Sequence, residues 1–262
     1  MRYSAAPATN APEASARQST KQQPNGANHR LVGTKRRVAR GTPSRRRINV
    51  RVYKFLDAHF GMKSLYENRL KISQISELND PFELIPFELN VRAQRWALQE
   101  SIKELSKSHG MLCFSAHWHD PVVWAHYSDK HRGLCLGFEI RDDTGKPVTY
   151  VPERLPFPDT PTVAHSDMML WTKYSNWEYE QEIRSWAELR EQECGIYYKE
   201  FGDDLRLTEV IAGARCALPL SALMRPLGPT VNRVSFIKAR AGFKKFEMVQ
   251  DQRGFRTQEI SL

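Results

Sequence analysis

The run Gly133-Leu-Cys-Leu-Gly-Phe-Glu139 is apolar on both faces that a strand presents. Such a strand must be covered on both sides, so it predicts a central place in a sheet. Shorter strand-like runs accompany it at Asn49–Phe55, Arg69–Ser73, Met111–Ser115, Glu178–Glu188, Thr208–Ala214, Arg233–Lys238 and Phe246–Val249. In the first, Val50, Val52 and Lys54 share one face and Arg51, Tyr53 and Phe55 the other. Helical spacing predicts helices over Ala58–Asn68, Val91–Ser108, Asp167–Tyr174 and Ser221–Met224. Gly110 reads as the glycine that ends the second of these. Asp120 and Pro121 open a further short helix through Trp124, His126 and Tyr127, with Asp as its cap. Asn79-Asp80-Pro81 marks a turn, and the Pro-rich stretch 152–161 a loop. Together these predict an α+β fold: a mostly antiparallel, twisted sheet with inserted helices.

The formal charge of +9 is unevenly spread. Residues 1–48 hold eleven Lys/Arg and one acid, Glu13, so they carry +10 and residues 49–262 sum to −1. The first 48 residues have almost no large apolar side chains and cannot offset their ordering entropy by burial. The expectation is a disordered basic tail, 1–48, before a single domain, 49–262. The tail has three readings: an electrostatic arm for a polyanion, a solubility tail, or an upstream extension without function. A basic nucleic-acid footprint on the domain itself is not indicated. Cys113, Cys135, Cys194 and Cys216 are far apart, which fits buried thiols better than zinc or a disulfide framework. No apolar run approaches the ~18 residues that span a bilayer, and no signal-peptide core is present. These features predict a soluble cytoplasmic protein.

Chemistry concentrates in a few islands. In Trp177-Glu-Tyr-Glu-Gln-Glu-Ile-Arg184, a continuous strand puts Glu178, Glu180, Glu182 and Arg184 on one face. Three carboxylates on one strand face repel and need a reason. One reason is a solvated edge compensated by Arg184. The other is a site, with Glu180 and Glu182 about 7 Å apart and able to share one ligand. Lys54 follows Tyr53 and either snorkels or meets a phosphate. Asn79 and Asp80 either fix their turn or belong to a loop that closes over a ligand. Ser115, Trp124, His126 and Tyr127 supply hydroxyls, an imidazole and aromatic walls suited to a nucleobase or nicotinamide ring. His117-x-His119 lacks the spacing of a metal site, and no phosphate-binding glycine loop or serine-hydrolase elbow occurs.

Taken in order, Tyr53-Lys-Phe, Leu70-Lys-Ile-Ser, Asn79-Asp-Pro-Phe-Glu83, Phe114-Ser115, Trp124-x-His-Tyr127, His131-x-Gly133 and Trp177-x-Tyr-Glu-x-Glu-x-Arg184 resemble the bacterial family catalogued as domain of unknown function 2971. The resemblance covers residues 50–250. It departs at Leu56, where the family usually has an arginine. It implies a small protein associated with defence or stress. More distantly, the order of elements is similar to that of ADP-ribosyltransferases, which implies NAD as substrate and a protein or nucleic-acid acceptor. Carried onto this chain, that resemblance makes Glu182 the catalytic acid and Glu180 its partner. Ser115 supports the ribose, Tyr127 or Trp124 stacks on nicotinamide, and Lys54 or His126 contacts phosphate or ribose. Asn79, Asp80 and Arg184 complete the expected ligand contacts. The alternative is a module that senses a nucleotide or a phage component without turnover.

Overall fold

β4 (Leu134–Arg141) pairs antiparallel on both sides, with β1 (Asn49–Leu56) and β11 (Leu205–Ala212). This is the central strand expected from its two apolar faces. A computed structural model describes residues 49–255, so the reading of residues 1–48 lies outside the described residues. The other strands are β2 (Arg69–Ile72), β3 (His109–Ser115), β5 (Lys146–Pro147), β6 (Thr149–Val151), β7 (Thr172–Tyr174), β8 (Glu182–Glu188), β9 (Gln192–Glu193), β10 (Ile196–Glu200), β12 (Ser235–Ala241) and β13 (Met248–Gln250). The main sheet has eight strands in the order β13-β12-β11-β4-β1-β3-β8-β5. Among its pairings in the described residues only β11–β12 is parallel. The fold is thus mixed α+β with an antiparallel-rich sheet.

The two faces are covered by different elements. On one, Leu134, Leu136 and Phe138 pack with Val52, Phe114 and Leu65 of α1 (Ala58–Glu67). On the other, coverage comes in two pieces. Val123 and Trp124 of α3 (Pro121–Tyr127) lie over Tyr53, Phe55 and Cys135. Leu98 of α2 (Arg92–Ser108), Met169 of α4 (Val163–Trp171), Leu84 and Phe87 lie over Met111. The last helix, α5, spans Leu220–Met224.

Between those two pieces the sheet itself opens. β1 matches β4 over eight register pairs, and β3 matches β8 over seven. β1 and β3 share a single pair, Tyr53 with Ser115. Beyond it the strands diverge, and the Lys54 ammonium bonds the Cys113 carbonyl at 3.0 Å in place of a ladder donor.

Three local expectations are corrected. The acid run is not one strand: Ser175–Glu180 forms a 3₁₀ turn, Gln181 takes a left-handed φ of 41°, and β8 begins at Glu182. The helix expected at Asp167–Tyr174 ends at Trp171, so Lys173 belongs to β7. The helix does end at Ser108, just before Gly110, but Gly110 takes no left-handed φ; it lies in β3, where an added Cβ would meet Ile72 Cγ2 at 2.6 Å and the Ser73 carbonyl at 2.7 Å. By contrast, Asp120 caps α3 as expected, its Oδ1 accepting from the Val122 N–H at 2.7 Å and the Val123 N–H at 3.1 Å. Asp120→Ala is expected to cost about 1 kcal/mol, read from the denaturant midpoint; no change would mean that Pro121 alone fixes the start of α3.

Candidate functional site

The register places Tyr53, Ser115 and Glu182 in one row across β1, β3 and β8. Alternation along each strand then puts all three on the face that α3 and α2 cover in two pieces. A cleft of about 90 Å³ opens there, lined among others by Lys54, Asn79, Ser115, Tyr127, Glu180 and Glu182. The Ser115 hydroxyl has no hydrogen-bond partner among the described residues. Above the row, the Asn79 amide donates to the Tyr127 hydroxyl at 3.1 Å, and that hydroxyl donates to Glu180 Oε1 in a short contact.

The floor of the cleft is a buried ionic cluster. Lys173 Nζ lies 2.6 Å from Glu180 Oε2, 3.0 Å from Glu182 Oε2 and 3.2 Å from Glu83 Oε1. Arg184 Nε donates to Glu182 Oε1 at 2.7 Å, and its Nη2 to Glu83 Oε2 at 2.6 Å. Its Nη1 donates to the Leu170 carbonyl at 3.0 Å. No side chain of the five is more than 7 % exposed. Three acids face two cations, so one acid has no cation to itself. Such a cluster holds only because its members satisfy one another.

The protonation pattern follows from this geometry. Burial opposes charge on Glu182, but the Arg184 guanidinium and then the Lys173 ammonium outweigh it and bring its carboxyl down to about 2. Burial opposes the Lys173 charge too, and Glu182, Glu83 and Glu180 override it, so its pKa rises. For Glu83 burial prevails over Arg184 and Lys173, and its pKa is raised. Burial, then Glu180, pushes the Tyr127 hydroxyl up. Burial, then Glu182, pushes the Cys113 thiol up, so the one thiol lining the cleft is no thiolate nucleophile at neutral pH. Glu182 stays ionised and cannot donate a proton; what it offers is a fixed negative charge.

Six of the ten residues singled out from sequence converge here: Lys54, Asn79, Ser115, Tyr127, Glu180 and Glu182. Glu180 and Glu182 do meet, though through Lys173 and across the Gln181 turn rather than along one strand. Four do not line the cleft. Trp124 is fully buried, with its Nε1 donating to the Trp118 carbonyl at 2.6 Å, so its ring is part of the core. His126 is exposed on the outer side of α3, 3.0 Å from the Tyr179 hydroxyl. The Asp80 carboxylate accepts from the Phe82 N–H at 2.9 Å and fixes its own turn. Arg184 is fully buried beneath Glu182.

Glu83 and Lys173 complete the floor, and neither was marked as a site residue in the sequence. Glu83 is delivered by the Asp80 turn, after which Leu84 takes a φ of 61° while fully buried. That conformation costs about 1–3 kcal/mol, offset here by Leu84 packing. Lys173 carried a weak signal: a lone lysine in a short segment that ends an apolar helix. No family model, no curated protein and no solved structure matches the chain.

Proposed function

We propose that the cleft binds the ribosyl end of NAD and that the chain is an NAD-consuming enzyme of the ADP-ribosyltransferase type. The observation that carries this reading is the Tyr53–Ser115–Glu182 row on three adjacent strands, with Glu180 beside it. In this chemistry the bond between the ribosyl carbon and the nicotinamide nitrogen breaks. The bonding pair leaves with nicotinamide, which becomes neutral, and the ribosyl carbon becomes cation-like until a nucleophile on the acceptor, or water, attacks it. Stabilising that charge needs a carboxylate that is ionised beforehand, not one that transfers a proton. Glu182, held near 2 at the cleft wall, meets that need, with Glu180 beside it. The unpartnered Ser115 hydroxyl is the natural partner for a ribose hydroxyl, and Lys54 supplies a counter-charge for phosphate. A volume of about 90 Å³ is well below the roughly 300–1,000 Å³ of sites that enclose whole drug-sized ligands, so the cleft takes the sugar and its nearest neighbours. An activity of this kind suits a defence or stress effector.

One observation favours a second reading. Lys173 and Arg184 occupy both oxygens of Glu182, which suits a module that holds a nucleotide without breaking it.

Ser115→Ala separates ligand binding from folding, because no side-chain hydrogen bond among the described residues is lost. NAD is expected to raise the melting temperature of the full chain. Without ligand the variant's stability should lie within about 0.5 kcal/mol of the parent's, and NAD should no longer protect it. A parent that NAD does not protect, or a variant protected as well as the parent, rejects the site.

A further inference from the structure

We propose that the loop between β12 and β13 is a binding site for single-stranded nucleic acid, independent of the cleft. With the last two residues of β12, it reads Arg240-Ala-Gly-Phe-Lys-Lys-Phe246 and interleaves two aromatic rings with three cations. Phe243 is 90 % exposed and Phe246 fully exposed, more than any other large apolar side chain among the described residues. Isolated exposed apolar residues are ordinary, but two bare phenyl rings three residues apart contribute nothing to the core.

The loop is held at its base. The Gly242 N–H donates to the Glu247 carbonyl at 2.8 Å, and the Met248 N–H to the His119 carbonyl at 2.7 Å. His119 Nδ1 lies 2.7 Å from the Met248 carbonyl, and Met248 itself is buried. The rings are therefore presented from a fixed platform, which lowers the ordering cost of binding.

The chemistry selects the partner. Every nucleobase has a flat face that stacks on an aromatic ring, and every phosphate attracts lysine and arginine. The Arg240 guanidinium sits 4.1 Å from the centre of the Phe243 ring, covering one face with a cation. That pairing suits a ring placed between a base and a phosphate. It suits acyl chains poorly, because burying the ring would strip water from the guanidinium covering it. Lys244 and Lys245 are both exposed and extend the positive charge, with Glu247 the one acid in the loop. The near-neutral sum of residues 49–262 conceals this local excess.

The test uses the full chain, so that the basic residues 1–48 are common to every protein compared. Binding of a fluorescent oligouridylate is followed by anisotropy over a salt series, beside co-sedimentation with phosphatidylserine vesicles. Phe243→Ala/Phe246→Ala is expected to weaken oligonucleotide binding about tenfold or more, with the same salt slope and an unchanged melting temperature. Lys244→Ala/Lys245→Ala is expected to lower the log–log salt slope by about 1.4, as two phosphate contacts imply. An oligonucleotide bound equally by parent and double phenylalanine variant overturns the proposal. So does a parent that binds the vesicles and leaves the oligonucleotide free.

Discussion

Replacing Arg184 with methionine is expected to lower stability by about 3–5 kcal/mol and the melting temperature by about 10 °C. Methionine fills much of the same volume but offers no donor to Glu182, Glu83 or the Leu170 carbonyl. Three buried acids then face Lys173 alone. The loss arises less from the attraction removed than from the charges left unpaired. The double variant Arg184→Met/Glu182→Met should therefore recover a large part of the loss. Thermal and denaturant unfolding would check both. A single variant within 1 kcal/mol of the parent would mean that water reaches the cluster and screens it.

The second large effect is on acid stability. Glu182 falls from an ordinary 4.5 to about 2 on folding, worth about 3 kcal/mol. Its side chain is 3 % exposed, so solvent screening does not discount this figure. A depressed carboxyl stabilises the fold above its unfolded pKa. The contribution is complete above about 4.5 and is lost as pH falls toward 2. Glu83 acts in the opposite sense: its pKa is raised, so its contribution is largest in acid and declines as pH rises through its folded value. The two oppose each other on the acid limb of a stability–pH curve, to which the ion-paired carboxyls of Glu77, Glu104, Glu139 and Glu193, all lowered, add in the sense of Glu182. Glu182→Gln should be less stable than the parent at pH 7 and converge with it as pH approaches 2, measured as urea midpoints. Parallel curves for parent and variant would show that Glu182 does not carry the acid limb. Because this variant perturbs the fold, Ser115→Ala is the cleaner probe of ligand binding.

Most strands and helices were legible because their signals are local. Two apolar faces placed Leu134–Glu139 at the sheet centre, and Asp120-Pro121 announced α3. The acid run shows the limit. Its alternation continues from Trp177 to Arg184, and no glycine or proline marks the break, yet Gln181 turns left-handed between a 3₁₀ turn and a strand. The site was legible as residues, not as a charge balance. Glu180 and Glu182 announced themselves by proximity. Lys173 and Glu83 gain their meaning from pairings that join separate elements, with Arg184 and Glu83 101 positions apart. Trp124 was misplaced for a related reason. On so short a helix one residue of rotation separates the cleft from the core, and the Trp118 carbonyl that takes its indole N–H lies before the helix begins.

The claim that the cleft is an NAD site of the ADP-ribosyltransferase type is tested most directly by mass-spectrometric detection of nicotinamide released from NAD by the full chain, with and without cell extract, beside Ser115→Ala. The account predicts release by the parent and its loss, or a fall of about tenfold or more, in a variant that remains folded. No release, together with no protection of the parent by NAD against heat, would contradict it.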